Sequence, residues 1–249
     1  MDFFGTTNIG MKRQVNQDSF LIREYGCGLL AVVCDGMGGV SGGGEASSTA
    51  VTAFTGYTDI NFDDSSAAGV HPSEEYCRDV LLSAVRAANN AVYSAAAENR
   101  ELHGMGTTLV SALVTDDRIY AVNVGDSRMY MIDDAAATQI THDHSYVQYL
   151  VDIGKITKDE ARNSNNKNII TRAVGTEENV ETDFFTVAPR PASGHVLLCT
   201  DGLTNHITES DMAQCVNSAE STEKACDELI SRANLGGGSD NITAVIISL

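Results

Sequence analysis

Leu29-Leu30-Ala31-Val32-Val33-Cys34-Asp35-Gly36 is a short apolar run that stops at an acidic residue and a glycine. Val196-Leu197-Leu198-Cys199-Thr200-Asp201-Gly202 repeats the pattern, and Ile119-Tyr120-Ala121-Val122-Asn123-Val124-Gly125-Asp126 ends on Asp with no second glycine. Runs of this length, rich in Val, Leu and Ile, read as buried strands. A buried strand is rigid, so an Asp at its tip is held where the strand puts it. Three such tips, far apart in the chain, suggest carboxylates converging on one point. Like charges do not gather without compensation, and a hard divalent cation would supply it. A plainer reading competes. Asp-Gly is a common turn, and each pair taken alone is hairpin punctuation first. The remainder of the chain has to decide between them.

A chain of 249 residues is long enough to bury a full core, as one large domain or two small ones. With 34 acidic against 16 basic residues the net charge is −18. That balance opposes nucleic acid and anionic membranes as partners, since both need a basic footprint. It admits divalent cations, and it requires local positive charge wherever a phosphate is to land. The six cysteines are scattered without a CxxC pair, which argues against a zinc site and for a reducing compartment. Met1-Asp2-Phe3-Phe4-Gly5 has no signal-peptide character, and no run approaches a membrane span. A cytoplasmic protein is expected.

Along the chain, a polar stretch carrying Arg13 and Asp18 precedes the first run. Such a pair on an extended segment can face one cavity, although a surface Arg near a surface Asp more often means nothing. Six of the ten residues 36–45 are glycine. No Lys-Ser/Thr follows, so a phosphate loop of the Walker type is out. Ser41 stands where a dinucleotide fingerprint needs its third glycine, and Asp35 would repel a pyrophosphate. A metal ligand followed by a loop of unusual backbone angles fits better. Helices are predicted over 45–57 and from about Pro72 to Asn99, separated by a loop over 59–71. The second carries Val80, Leu81, Ala84, Val85, Ala88 and Val92 as a core stripe. Leu109–Val114 and the third apolar run read as a hairpin, and Gly125-Asp126-Ser127 reads as a turn to one more antiparallel strand. A short helix over 146–151 and an Asn-rich tract follow, which suggest a flap. His142-x-His144 there reads as solvated rather than ligating. Strands are predicted over 183–187, 195–200 and 242–248, a capping box at Thr208-x-x-Asp211, and a helix over 222–234. Nothing divides the chain, so one domain over 1–249 is expected.

Seven short motifs then carry a resemblance. Arg13-x-x-Asn16-Gln17-Asp18, Asp35-Gly36-Met37-Gly38-Gly39, Gly106-Thr107-Thr108, Val124-Gly125-Asp126-Ser127-Arg128, Asp143-His144-Ser145, Thr200-Asp201-Gly202-Leu203 and Asp240-Asn241-Ile242-Thr243 occur in this order from near the start of the chain to its end. The chain thereby resembles the metal-dependent serine/threonine protein phosphatases of the PPM, or PP2C, family, in their bacterial single-domain form.

The resemblance implies an α+β fold, an α/β/β/α sandwich of two antiparallel sheets flanked by helices. It implies hydrolysis of phosphoserine and phosphothreonine in proteins by water activated at a binuclear Mn²⁺ or Mg²⁺ site. Asp35, the Gly36 carbonyl, Asp201 and Asp240 are the implied ligands, with Asp18 as a further ligand or hydrogen-bonded beside them. Asp126 would join Asp201 at a third, weaker ion. Arg13 would bind the substrate phosphate, and a flap over about 145–170 would shape access. Phosphorylated proteins, and a cognate serine/threonine kinase, are the implied partners of a monomer. Cys34 and Cys199 would then be packing residues. One departure stands out. Relatives carry a histidine, offered as general acid, at the position of Met37 or of Val40 here. Metal-bound water, and after it His144, are left for that role. Two other functions compete. A non-catalytic phosphopeptide binder would have lost metal aspartates, and a dinucleotide enzyme would need the third glycine.

Overall fold

The computed structural model describes residues 1–66, 72–188 and 191–249, without the side chains of 40–41 and 63–66. Strands β1 (Phe3–Asn8), β2 (Asp18–Tyr25) and β3 (Gly28–Met37) lead into helices α1 (Gly39–Ser66) and α2 (Glu74–Glu98). Next come β4 (Gly106–Thr107), β5 (Leu109–Val114), β6 (Ile119–Val124), β7 (Arg128–Ile132) and β8 (Ala137–Gln139). The short helices α3 (Tyr146–Asp152) and α4 (Lys158–Arg162) follow. The chain closes with β9 (Asp183–Val187), β10 (His195–Cys199), α5 (Asp201–Thr204), α6 (Glu209–Ser218), α7 (Thr222–Leu235) and β11 (Ile242–Ser248).

The apolar runs are continuous because both faces of each strand are covered. Successive side chains on a strand point to opposite faces. On β3, Leu30, Val32 and Cys34 pack with α1 and α2, among Phe54, Leu81 and Val85. Leu29, Ala31 and Val33 point the other way and meet Val196, Leu198, Val245 and Ile247 of the opposing sheet. On β10 the alternation is complementary, with Leu197 and Cys199 turned to Met212, Cys226 and Leu229 of α6 and α7. The result is four layers, helix, sheet, sheet, helix. One sheet has the order β1-β11-β10-β7-β8 and the other β2-β3-β5-β6-β9, with β4 paired to β3. All the pairings are antiparallel. The expected sandwich is the observed one.

Four local expectations need correction. The turn at Gly125-Asp126-Ser127 does not join neighbours in one sheet, because β6 and β7 belong to different sheets. It carries the chain across the sandwich, which places Asp126 between the layers. The glycine-rich tract is not a loop. Positive φ is confined there to Gly38 and Gly39, and from Gly39 onward the chain is already helix α1. The glycines serve close approach: a Cβ on Gly43 would lie 2.6 Å from the Gly36 oxygen and 2.7 Å from the Gln17 side chain. Helix α1 also runs on to Ser66, through most of the expected loop; residues 67–71 of that loop lie outside the described residues. Finally, Pro72 precedes α2 rather than opening it, and Ser73 is the N-cap, accepting from the Tyr76 amide.

Two glycines of α1 should therefore respond oppositely to alanine. Nothing lies within 4 Å of a Cβ added to Gly56. Gly56→Ala should gain about 1 kcal/mol of helix propensity, raising Tm by about 2–4 °C in a chain of this size. Gly43→Ala should lower Tm, since its Cβ overlaps the backbone of β3. Thermal melts of the two variants check this, and a Gly43→Ala protein as stable as the wild type would refute the close packing.

Candidate active site

The fold brings the acidic tips to one end of the sandwich. Asp18 opens β2 directly opposite Asp35 in the β2–β3 register. Asp35 is fixed through its backbone. Its amide donates to the Thr108 hydroxyl at 2.9 Å, and its carbonyl accepts from the Thr108 amide and the Thr107 hydroxyl, both at 2.9 Å. In the other sheet β10 lies beside β11 with Cys199 opposite Ala244. Asp201, just past β10, and Asp240, just before β11, therefore stand at the same edge. Gly202 permits this, because a Cβ there would collide with the Asn241 carbonyl.

One carboxylate ties the two sheets together. Asp18 Oδ2 accepts from the Thr200 hydroxyl at 2.9 Å and from the Thr243 hydroxyl at 2.6 Å. Thr243 also meets the Thr7 hydroxyl at 2.7 Å, and Thr7 accepts from Asn16 Nδ2 at 2.9 Å. Sequence reading quoted both threonines within motifs but gave neither a role. For Thr200 the available signal was a polar residue beside Asp201 at the end of an otherwise apolar run; Thr243, three residues after Asp240, carried no such signal.

A cleft of about 470 Å³ opens at this edge. Asp35, Gly36, Asp126, Asp201, Asp240 and Arg13 line it, with Met37, Thr108, Asn168 and Ile170. Arg13 Nη2 contacts Asp240 Oδ2 at 2.7 Å, with the Arg13 side chain half exposed. Arg13 thus pairs with Asp240 rather than facing Asp18. A second cavity of about 440 Å³ shares Asp126 and Asp201 and extends beneath α3 and α4, past Lys158, Arg162 and Lys167. This is the expected flap region, and it is tied down at several points. Tyr146 N–H donates to the Ile169 carbonyl at 2.8 Å, and Arg162 donates to the Ile207 carbonyl at 3.2 Å.

The electrostatics favour a cation. Burial first, then Asp201 and Asp240, push the Asp18 carboxyl up to about 7, against the pull of its two threonine bonds. Burial, then Asp240, raises Asp201 to about 6. Asp35 is raised well above the carboxylate range by burial, followed by Asp18, Asp201, Asp126 and Asp240. Asp126 is raised by burial, Asp201 and Asp143. Asp18 Oδ1 and Asp201 Oδ1 are buried without a hydrogen-bond partner. A buried unpaired acceptor costs about 1–3 kcal/mol, more when charged, and a bound divalent ion would satisfy both oxygens while reversing the pKa shifts. The all-oxygen donor set fits Mn²⁺ or Mg²⁺. Among the described residues no three His, Cys, Asp or Glu side chains form a ready-made ligand cluster. Asp240 shows one reason: Arg13 holds its Oδ2, and the Asn241 amide holds its Oδ1 at 2.8 Å.

The histidines divide. His142 is half exposed and meets Asp152 at 2.9 Å, as a solvated residue would. His144 corrects the reading, since it is buried. Its Nδ1 accepts from the Gly125 amide at 3.0 Å, its own amide donates to the Gly125 carbonyl, and Asp183 lies 3.3 Å from Nε2. It braces the Asp126 turn and does not line the cleft. All six cysteines are buried and free, and burial raises the Cys34 and Cys199 thiols, as suits packing residues.

A family model described as Protein phosphatase 2C matches residues 5–235. A serine/threonine phosphatase stp of Listeria monocytogenes is 36% identical over 218 residues, covering 88% of this chain and 83% of that protein. The crystal structure of serine/threonine phosphatase Stp1 from Staphylococcus aureus superposes with a TM-score of 0.89 at 32% identity, covering 100% of this chain and 95% of that one. The catalytic domain of serine/threonine protein phosphatase PstP, crystallised with two manganese ions, gives 0.83 at 32% identity over 98% of this chain and 96% of that one.

The carboxylate cluster makes a signed prediction for the metal-free protein. Asp18 and Asp201 hold protons more tightly in the fold than at the ordinary value of 3.8, with folded values about 7 and 6. Their contribution to stability is present below the ordinary value and lost as pH rises through the folded ones. Metal-free Tm should fall as pH rises across that window, less steeply in Asp18→Asn, and Mn²⁺ should remove the fall. A metal-free Tm that climbs across the same window would contradict the cluster.

Proposed function

Since the chain belongs to the protein phosphatase 2C family, we propose that it hydrolyses phosphoserine and phosphothreonine in proteins at the carboxylate-lined cleft. Asp35, the Gly36 carbonyl, Asp201 and Asp240 would hold two Mn²⁺ or Mg²⁺ ions, with Asp18 beside them and Asp126 joining Asp201 at a third. The observation that carries this is the convergence of Asp35, Asp126, Asp201 and Asp240 on a cleft that also holds Arg13, with Asp18 opposite Asp35 in the register and orphaned oxygens on Asp18 and Asp201.

A bound metal pair supplies Lewis acidity, lowering the pKa of water in the cleft and neutralising phosphoryl oxygens. The chain's own residues do the rest. Asp18, held on one oxygen by two threonines, keeps the other aimed at the cluster. Asp35 is immobilised by its backbone bonds to Thr107 and Thr108, so its carboxylate is preorganised. Arg13 is free to leave Asp240 for an incoming phosphate, since a planar guanidinium matches two phosphoryl oxygens at once. That exchange would free Asp240 Oδ2 for its role as a metal ligand. Met37 lines the cleft where relatives offer a histidine, and His144 spends Nδ1 on Gly125, so water is left to protonate the leaving serine or threonine oxygen.

The reading includes one phosphatase domain over 1–249, acting as a cytoplasmic monomer opposite a serine/threonine kinase. No helix among the described residues is long and apolar enough to cross a membrane. The acidic composition supports protein rather than nucleic acid as substrate.

Asp35→Asn and Asp201→Asn should each lower Mn²⁺-dependent hydrolysis of a phosphothreonine peptide by roughly 10²-fold or more, while a chelator abolishes wild-type turnover. Their metal-free Tm should equal or exceed that of the wild type, because each removes a repelling charge. Wild-type turnover in both variants would refute the ligand assignment.

A further inference from the structure

The segment that carries Arg13, residues 9–17, is neither helix nor strand. Its shape depends on individual hydrogen bonds, and one side chain from the far end of the chain supplies three of them. Asn241 is buried, at 4% exposure. Its Nδ2 donates to the carbonyls of Ile9 and Val15, both at 3.0 Å, and its Oδ1 accepts from the Gln17 amide at 2.8 Å. Both amide hydrogens and the oxygen are thereby engaged. The two carbonyls bracket Arg13, one before it and one after.

Asn241 is itself fixed to the metal side of the cleft. Its amide donates to Asp240 Oδ1, and its carbonyl packs on Gly202, next to Asp201. Gln17, whose N–H it holds, passes its carbonyl to the Gly36 amide at 3.1 Å. One residue, through its side chain and its backbone together, thus connects the segment bearing the cleft's arginine to Asp240, to the neighbour of Asp201 and, by way of Gln17, to Gly36. Arg13 itself is half exposed, and its ion pair is with Asp240. Nothing in that single contact would keep the backbone beneath it in place once the guanidinium moves.

We propose that Asn241 is a positioning residue for substrate phosphate: it clamps the 9–17 segment so that Arg13 can exchange Asp240 for phosphate without the loop reorganising. Pre-ordering a loop lowers the cost of binding, so the effect falls on KM. The inference rests on Arg13 receiving the phosphate.

A double-mutant cycle tests it, with the Mn²⁺-loaded protein and a phosphothreonine peptide. Asn241→Ala should raise KM at least about five-fold with kcat within about two-fold, and Mn²⁺ affinity by calorimetry should stay within about two-fold. In an Arg13→Ala background the same substitution should change kcat/KM by less than about two-fold. Asn241→Asp keeps the acceptor for Gln17 but loses both donors, so it should behave like Asn241→Ala and serves if that variant does not fold. An undiminished loss in the Arg13→Ala background, or weaker Mn²⁺ binding with KM unchanged, would overturn the proposal. So would failure of both variants to fold, since Asn241 would then support the fold as a whole. An Arg13→Ala protein with wild-type kcat/KM would instead remove the phosphate assignment, and the inference with it.

Discussion

One oxygen of Asp18 accepts hydrogen bonds from two threonine hydroxyls of the opposite sheet, and the geometry of the cleft depends on that junction. The sandwich interior is apolar, and apolar contact is non-directional; it holds the sheets together without specifying how their ends align. The Asp18 bonds do specify it, at the edge where Asp35 from one sheet must face Asp201 and Asp240 from the other. A buried carboxylate is costly unless its oxygens are satisfied. Oδ2 is satisfied by protein and Oδ1 is not. The same group therefore sets the alignment of the two sheets and leaves an acceptor for a cation.

This arrangement opposes stability in order to hold charge. Asp18, Asp35, Asp126 and Asp201 have their carboxyls raised, with burial the first cause in each case. Perturbed groups gathered in one cleft are the mark of a functional site. The surrounding fold tolerates them because its cores are filled on both faces of both sheets. Against the chain's net charge of −18, Arg13 stands as the cation of the cleft. How that arginine is held thus matters to how a dianionic phosphate approaches at all.

Much of the fold was legible because double-faced burial writes itself as uninterrupted apolar runs, and β3, β6 and β10 were found that way. The helix start at Gly39 was not. Glycine's low helix propensity argued for a loop, whereas the requirement for close approach to Gly36 and Gln17 decided the matter. The β6–β7 turn was misread for a related reason: a turn between two apolar strands looks the same in sequence whether it stays in one sheet or crosses to another. At the site, Asp35, Asp126 and Asp201 were visible as strand tips, and Arg13, Asp18 and Asp240 through a resemblance to a family. Thr200, Thr243 and Asn241 stood within the quoted motifs but were given no role, since their roles are long-range hydrogen bonds, and a hydroxyl or amide has no periodicity to reveal its partner. His144 was read as solvated from its polar neighbours, yet its ring closes on the Gly125 backbone.

The proposed divalent metal pair lies between the two sheets, on the oxygens that the protein leaves unsatisfied. Anomalous diffraction from a crystal soaked in Mn²⁺ tests it most directly. Two strong peaks are expected in the cleft beside Asp35, Asp201 and Asp240, with Asp18 Oδ2 still bonded to Thr200 and Thr243. Manganese bound elsewhere with this cleft empty, or peaks that form only after Asp18 abandons both threonines, would contradict it.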